Sequence, residues 1–377
     1  MVSDKARIYS GLRINGPAII LLSLVASMAF GQLPQRTADI ETIFRNFLIE
    51  YVELRPETGT AVGLPAAYRT HIDNGALDDE SDAGLDRLYD LYRKYHRRLS
   101  GYCRDDLSDS QRAAAELLIW YLENELRGEE FRNHAYIINP MLGFHNSFTT
   151  LMTEHHRIES EADALDYIER LKGVRKKVSQ LARRLEKQRT NGIIPPACIV
   201  EDYRQLLSEF IQMDCASNPL YTSFAARIDK VEKTTGRSRQ KLCDQVIAAL
   251  ETSVYPAYRL FIEHIDVVHQ AADDRAGVWK LPAGDAYYRY CLRTHTTTDL
   301  TPEQIHDLGI NEVNRIQALL MDEFRKIGIP GSNDFAGLLS NYKQVTGDPA
   351  DEQYYFPNTK QGKAQTLRAY QAAIDTM

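Results

Sequence analysis

The chain repeats one pattern along most of its length: apolar residues recur every three or four positions, and polar residues fill the gaps. In "ADIETIFRNFLIEYVELRP" the residues Ile40, Ile43, Phe44, Phe47, Leu48 and Tyr51 share one helical face, and Pro56 ends the run. "LDRLYDLYRKYHRRL" repeats this with Leu85, Leu88, Tyr89, Tyr92 and Leu99. "SDSQRAAAELLIWYLENEL" combines strong helix formers with a capping-box signature at Ser108 and Gln111. A long helix is predicted from Ser160 to Arg189, its buried face carrying Leu165, Ile168, Leu171, Val178, Leu181 and Leu185, with Gly192 as its stop. Further helices are predicted over 199–213, 220–233, 238–271, 301–327, 335–345 and from 362 onward. Pro195 and Pro196 force a joint between two of them, because neither can sit inside a helix. Strand-like alternation is confined to pieces such as "AYIINP". The pattern predicts an all-α, multi-helix body in which connections carry the polar clusters.

The N-terminus breaks the pattern. Lys5, Arg7 and Arg13 precede "PAIILLSLVASMAFG", an apolar run shorter than the roughly 20 residues of a membrane span, with small residues at signal-peptidase spacing after it. Residues 1–31 therefore read as a signal peptide that exports the chain to the periplasm or beyond, with an uncleaved membrane anchor as the alternative. Residues 32–377 then form the helical domain. The net charge of −7 and pI near 5.9 give no global basic field for nucleic acid. The basic run from Arg170 to Arg189 alternates with apolar residues at helical spacing and reads as a solvated helix face. The 5 cysteines lie far apart without a C-x-x-C, so neither a zinc ribbon nor a disulfide framework is expected. The last predicted helix stops at Met377 with no glycine, proline or polar tail, which reads as a chain cut short or as a docked terminal helix.

The stretch "GDAYYRYCLRTHTTTDLTPEQIHDLGINEVNRI" carries the densest chemistry. Thr301, Pro302 and Gln304 announce a capped helix with Ile305, Leu308, Ile316, Leu319 and Leu320 as its buried stripe. Glu312 falls on that stripe, where a carboxylate needs a partner. An arginine from another helix and a role in a site are both open. Before the cap, Tyr287, Tyr288, Tyr290, Arg289, Arg293, His295 and Thr296 to Thr298 form a polar joint. It could bind a peptide carbonyl or carboxylate, or it could tie two helices together. The candidate substrate-binding residues are Tyr287, Tyr288, Arg293, His306 and Glu312. Among the 10 histidines no pair has metal-ligand spacing. His155 and His156 are adjacent, His264 and His269 are five apart, and His145 lies in a polar loop. No H-E-x-x-H, nucleophile elbow, phosphate loop or dinucleotide fingerprint occurs.

These residues resemble a known family. Gly284, Tyr287 and Tyr288, the threonines 296 to 298, and the helix Thr301-Pro302-Glu303 through Ile305, His306, Leu308, Gly309, Glu312, Val313, Arg315 and Ile316 match the signature of the bacterial domain-of-unknown-function family 885. "DALDYIERL" and "NGIIPP" match upstream. The family is similar to helical zinc peptidases of the gluzincin type, which implies zinc as cofactor, a peptide as substrate, and an H-E-x-x-H motif with its glutamate as general base. In the family that motif lies downstream of the signature helix, and no position of this chain matches it. The resemblance therefore implies the N-terminal helical portion of a zinc-metallopeptidase-like protein, catalytically incomplete by itself. A helical binding module without catalysis is the alternative.

Overall fold

A computed structural model describes residues 35–102, 107–231, 234–331, 333–347 and 355–376. The signal peptide expected over residues 1–31 and Cys103 lie outside them. The fold is all-α, and none of the described residues is in a strand, "AYIINP" included. The chain divides after Thr294 into two compact units.

The first unit contains two apolar cores. Helices α1 (Gln35–Leu54), α2 (Pro56–Val62), α3 (Ala66–Arg69), α4 (Asp82–Ser100) and α5 (Asp109–Arg127) come first in the chain. Three of them, α1, α4 and α5, build the smaller core. The predicted face of α1 is the buried one: Ile40, Phe44, Phe47, Leu48 and Tyr51 pack against Tyr92, Tyr95, Leu118 and Leu122. Each large apolar side chain removed from water there stabilises the fold by about 1.5–3 kcal/mol. Phe47 meets Tyr95 edge-on at 5.2 Å, and the Tyr92 and Tyr121 hydroxyls hydrogen-bond at 3.1 Å.

The larger core is organised by the 30-residue helix α7 (Glu161–Thr190), which follows α6 (Phe144–Thr150) and one turn of π-helix (Leu151–His155). Around α7 lie α8 (Ala197–Gln212), α9 (Pro219–Ile228), α10 (Gly236–Ala249) and α11 (Tyr255–Ala271). Tyr167, Ile168, Leu171, Val174 and Val178 line its buried face with Tyr203, Phe224, Tyr258 and Phe261 from the surrounding helices. Leu165, expected on that face, is exposed, and Ala164 and Tyr167 take its place. Gly192 holds φ +73°, the left-handed conformation that lets the chain turn out of α7.

Two departures from periodicity have local causes. The run predicted as one helix over 238–271 contains a π-turn at Leu250–Val254, directly ahead of Pro256. Proline has no N–H to donate and its ring collides with the carbonyl four residues back, so the wider turn absorbs the mismatch without ending the helix. The helix predicted over 220–233 stops at Ile228.

The polar stretch before Thr301 is not an open joint. It forms helix α12 (Gly284–Thr296), and Thr297, directly after it, holds φ +55°. In the second unit, α13 (Pro302–Lys326) begins with the predicted capping box of Thr301 and Gln304. It packs Phe324 and Met321 against Leu338 and Tyr342 of α14 (Phe335–Thr346), and α15 (Lys360–Thr376) follows. Leu308, Ile316, Leu319 and Leu320, expected to be buried, are exposed. The buried contacts of α13 are confined to its C-terminal end, where Phe324 meets α14.

Candidate functional site

A cleft of about 680 Å³ opens in the first unit, and its floor is ionic. The floor follows from local sequence. Arg55 stands between α1 and α2 because Pro56 restarts the helix there. Glu57 lies in the first turn of α2, and the acidic run Asp78–Glu80 approaches α4. The two segments clasp each other: the Glu57 amide donates to Asp78 Oδ1 at 3.0 Å, and the Asp78 amide donates to Glu57 Oε1 at 2.9 Å. Arg55 Nε lies 3.1 Å from Asp78 Oδ2, and its Nη1 lies 3.5 Å from Glu80.

Helix α7 supplies the other half. Lys177 pairs with Glu57 and lies 3.8 Å from Glu80, while Arg184 pairs with Glu80. Gln180 accepts from the Glu80 amide at 3.0 Å and donates to Asp79 Oδ1 at 2.8 Å. Arg170, on the same face, is fully buried and donates to the Ala76 carbonyl (2.9 Å), to Thr60 (2.7 Å) and to His156 Nδ1 (2.9 Å). A guanidinium only donates, so His156 Nδ1 must accept, and Nε2–H donates to the Asp163 carbonyl at 3.0 Å. That fixes His156 as one neutral tautomer.

The basic run read as a solvated face therefore has two sides. Arg170, Lys177 and Arg184 recur every seven residues and point inward. Lys172, Arg175, Lys176 and Arg183 stay exposed.

Burial and charge oppose each other throughout the floor. Burial, reinforced by Glu57, pushes Asp78 up to about 6 against the pull of Arg55 and Lys177. Burial also works against ionised Glu80, but Arg55, Lys177 and Arg184 outweigh it and leave its pKa lowered. Burial opposes the charge of Lys177 as well, and Glu57, Asp78 and Glu80 reverse the sign. His156 is pushed down to about 4 by burial, with Arg170 adding to the effect.

Above this floor the walls alternate apolar and polar side chains. Ile137, Phe144, Leu151 and Leu181 line them, with Tyr136, Ser147 and Asn146 as polar groups. Lys177 Nζ lies 5.7 Å over the Phe144 ring. Met141 and Leu142 stand at the rim, 75% and 54% exposed, on a turn held by Asn139, whose side chain accepts from both of their amides.

None of the five residues singled out in the sequence lines this cleft. Tyr287 is half-buried on α12, its ring against Phe131 and His134. Arg293 sits over the Trp120 ring at 5.8 Å. Tyr288, His306 and Glu312 are exposed. Glu312 is paired with Arg315 of its own helix at 2.8 Å, not with an arginine from another helix. The cleft residues Arg55, Glu57, Asp78, Glu80 and Lys177 were missed. The seven-residue spacing of cations on an otherwise apolar face of α7 was the signal that could have found them.

The arrangement can recognise a ligand that carries both charges and apolar groups. It does not fit zinc. Among the described residues no group of three histidine, cysteine, aspartate or glutamate side chains is placed to hold a metal ion, and each carboxylate of the floor faces an arginine or lysine. No helix of the described residues is long and apolar enough to cross a membrane.

Comparison with known proteins gives the family and the fold. The crystal structure described as "the putative lipoprotein from Colwellia psychrerythraea" superposes with a TM-score of 0.74 at 20% sequence identity, covering 91% of this chain. This chain spans 59% of that one. Curated proteins gave no match. Residues 56–377, which include Glu57, Asp78, Glu80 and Lys177 of the cleft floor, match the family described as "Bacterial protein of unknown function (DUF885)". With most of its length under that match, the chain belongs to the DUF885 family.

Proposed function

We propose that this chain is the helical, peptide-binding portion of an exported zinc-metallopeptidase-like protein, in which the metal chemistry is supplied by residues other than these. The observation that carries the binding role is the cleft: a floor of paired charges, Arg55 and Lys177 with Glu57, Asp78 and Glu80, under apolar walls, with Met141 and Leu142 projecting at its mouth. A short peptide presents the complementary set, with alternating carbonyls and amides, two charged termini and apolar side chains. Tyr136, Ser147 and Asn146 offer hydrogen bonds to its backbone, while the rim and walls take its side chains. Export is supported by the charged and apolar N-terminal run and by the description of the Colwellia protein as a lipoprotein.

The chain's own part in the reaction is to bind and orient the peptide. Calorimetric titration of the 377-residue chain with apolar-sided peptides of about four residues tests this. Binding is expected, and Leu142→Ser should weaken it by about tenfold, equivalent to about 1.4 kcal/mol, without altering the far-ultraviolet spectrum. An unchanged affinity in that variant, or no binding by the native chain, removes the cleft from consideration.

A further inference from the structure

The polar groups of the cleft floor satisfy one another almost completely, and what is left over is specific. Glu57 Oε1 accepts from the Asp78 amide at 2.9 Å and from Lys177. Asp78 Oδ1 accepts from the Glu57 amide, and Asp78 Oδ2 faces Arg55 Nε at 3.1 Å. Glu80 Oε1 faces Arg55 Nη1 at 3.5 Å and Lys177 at 3.8 Å, while Glu80 Oε2 pairs with Arg184. Among the described residues no group donates to Glu57 Oε2, and Arg55 Nη2 donates to no acceptor. Neither atom is sealed from solvent, and both residues line the cleft. Their side chains, 24% and 17% exposed, are the most accessible of the paired floor groups, the others lying between 4% and 15%. The floor thus presents one open donor and one open acceptor, of opposite charge, on residues that flank Pro56. The two lie close enough for the charge of Glu57 to act on Arg55.

The paired groups also cancel, since Arg55, Lys177 and Arg184 stand against Glu57, Asp78 and Glu80. A ligand that brings a single charge here leaves it uncompensated once water is displaced. A ligand that brings one charge of each sign adds none. We infer that the floor anchors a free α-amino acid or dipeptide as its zwitterion, the ammonium on Glu57 Oε2 and the carboxylate on Arg55 Nη2, with an apolar side chain against the walls. An internal peptide segment could offer an N–H and a carbonyl to the same two atoms. Where both partners of each bond are ionised, attraction between full charges is added. A longer peptide brings only one terminus to the floor and leaves the other open group unmatched. The inference rests on the reading of the cleft as a peptide-binding site, and it narrows the ligand from short peptides in general to those whose two termini lie close together.

The test compares leucyl-leucine with its N-acetyl form, its C-terminal amide and the doubly blocked molecule. Binding to the 377-residue chain is followed by calorimetry or, for weak ligands, by ligand-observed NMR. At pH 7.5 Asp78, raised to about 6, is ionised. Blocking either end is expected to weaken binding at least about tenfold. Glu57→Gln should weaken leucyl-leucine by a similar factor and leave the N-acetyl form, which has no ammonium to lose, at its native affinity. A floor distorted by the substitution would instead weaken both ligands alike, and that result overturns the inference. So does equal binding of free and blocked dipeptides, or a loss on blocking one end alone. If tetrapeptides bind and respond to Leu142→Ser while these contrasts fail, the zwitterion falls and the peptide cleft stands. If neither tetrapeptides nor dipeptides bind, both fall.

Discussion

Arg170 shows most directly how one residue joins the parts of the first unit. Its guanidinium reaches the Ala76 carbonyl, the Thr60 hydroxyl on α2 and the His156 ring beyond the π-turn, and it is fully buried. Removing it leaves three acceptors without their donor in a space that water does not reach. Arg170→Met is therefore expected to destabilise the chain by about 3 kcal/mol, measured as a fall in the urea midpoint at constant slope. A loss below about 1 kcal/mol would mean that the three acceptors find other donors. Sequence pattern alone pointed the other way, because a lysine- and arginine-rich run is usually solvated. Carboxylates brought in from residues 57–80 offset the cost of burying Lys177 and, with Asp166, that of burying Arg170.

At the scale of elements, local signals were sufficient wherever the stabilising groups are near in sequence. The capping boxes at Ser108 and Thr301 are both formed, with backbone and side chain satisfied reciprocally. Ser108→Ala removes the acceptor for the Gln111 amide at the start of α5. It should cost about 1 kcal/mol in chemical denaturation, and no measurable cost would show that α5 is held by its packing alone. The density of polar groups misled at α12. The tyrosines there read as a joint, yet Tyr287 and Tyr290 pack on Phe131 from a distant part of the chain, and those contacts favour a helix. Likewise the π-turn before Pro256 is invisible to a count of periodic apolar residues, since it widens one turn and leaves the helical run from Gly236 to Ala271 unbroken.

The whole molecule carries its buried charges in opposing ways, and this shapes its response to pH. Burial raises Glu125 to about 7, with Arg55 as the only opposing charge. A carboxyl raised in the folded state favours the protonated form. Its contribution is full below the unfolded value near 4.5 and is lost as pH rises through 7. Asp78, raised to about 6, acts in the same direction over a lower window. His156 and His145, both pushed down to about 4 by burial, act oppositely and remove stability as pH falls from 6.5 towards 4. Between pH 6 and 8 Glu125 should dominate. Glu125→Gln is expected to gain on the native chain as pH rises, by on the order of 2 kcal/mol at pH 8 relative to pH 5.5. Parallel stability curves for the two proteins across that range would contradict the assignment.

The sequence by itself determined the all-α class, most helix positions, the caps at Ser108 and Thr301, and membership of the family whose signature runs through Thr301 to Ile316. Those properties depend on periodicity and on partners three or four residues apart. The tertiary structure decided which charged residues are buried and where the cleft lies, because its floor joins residues 55–80 to 177–184, about a hundred positions later. It also decided that the apolar row of α13 stays open while Phe324 finds α14. Amphipathic spacing shows that a helix has a face to bury. Which surface covers that face, or whether any does, depends on how distant segments pack, and periodicity carries no record of that.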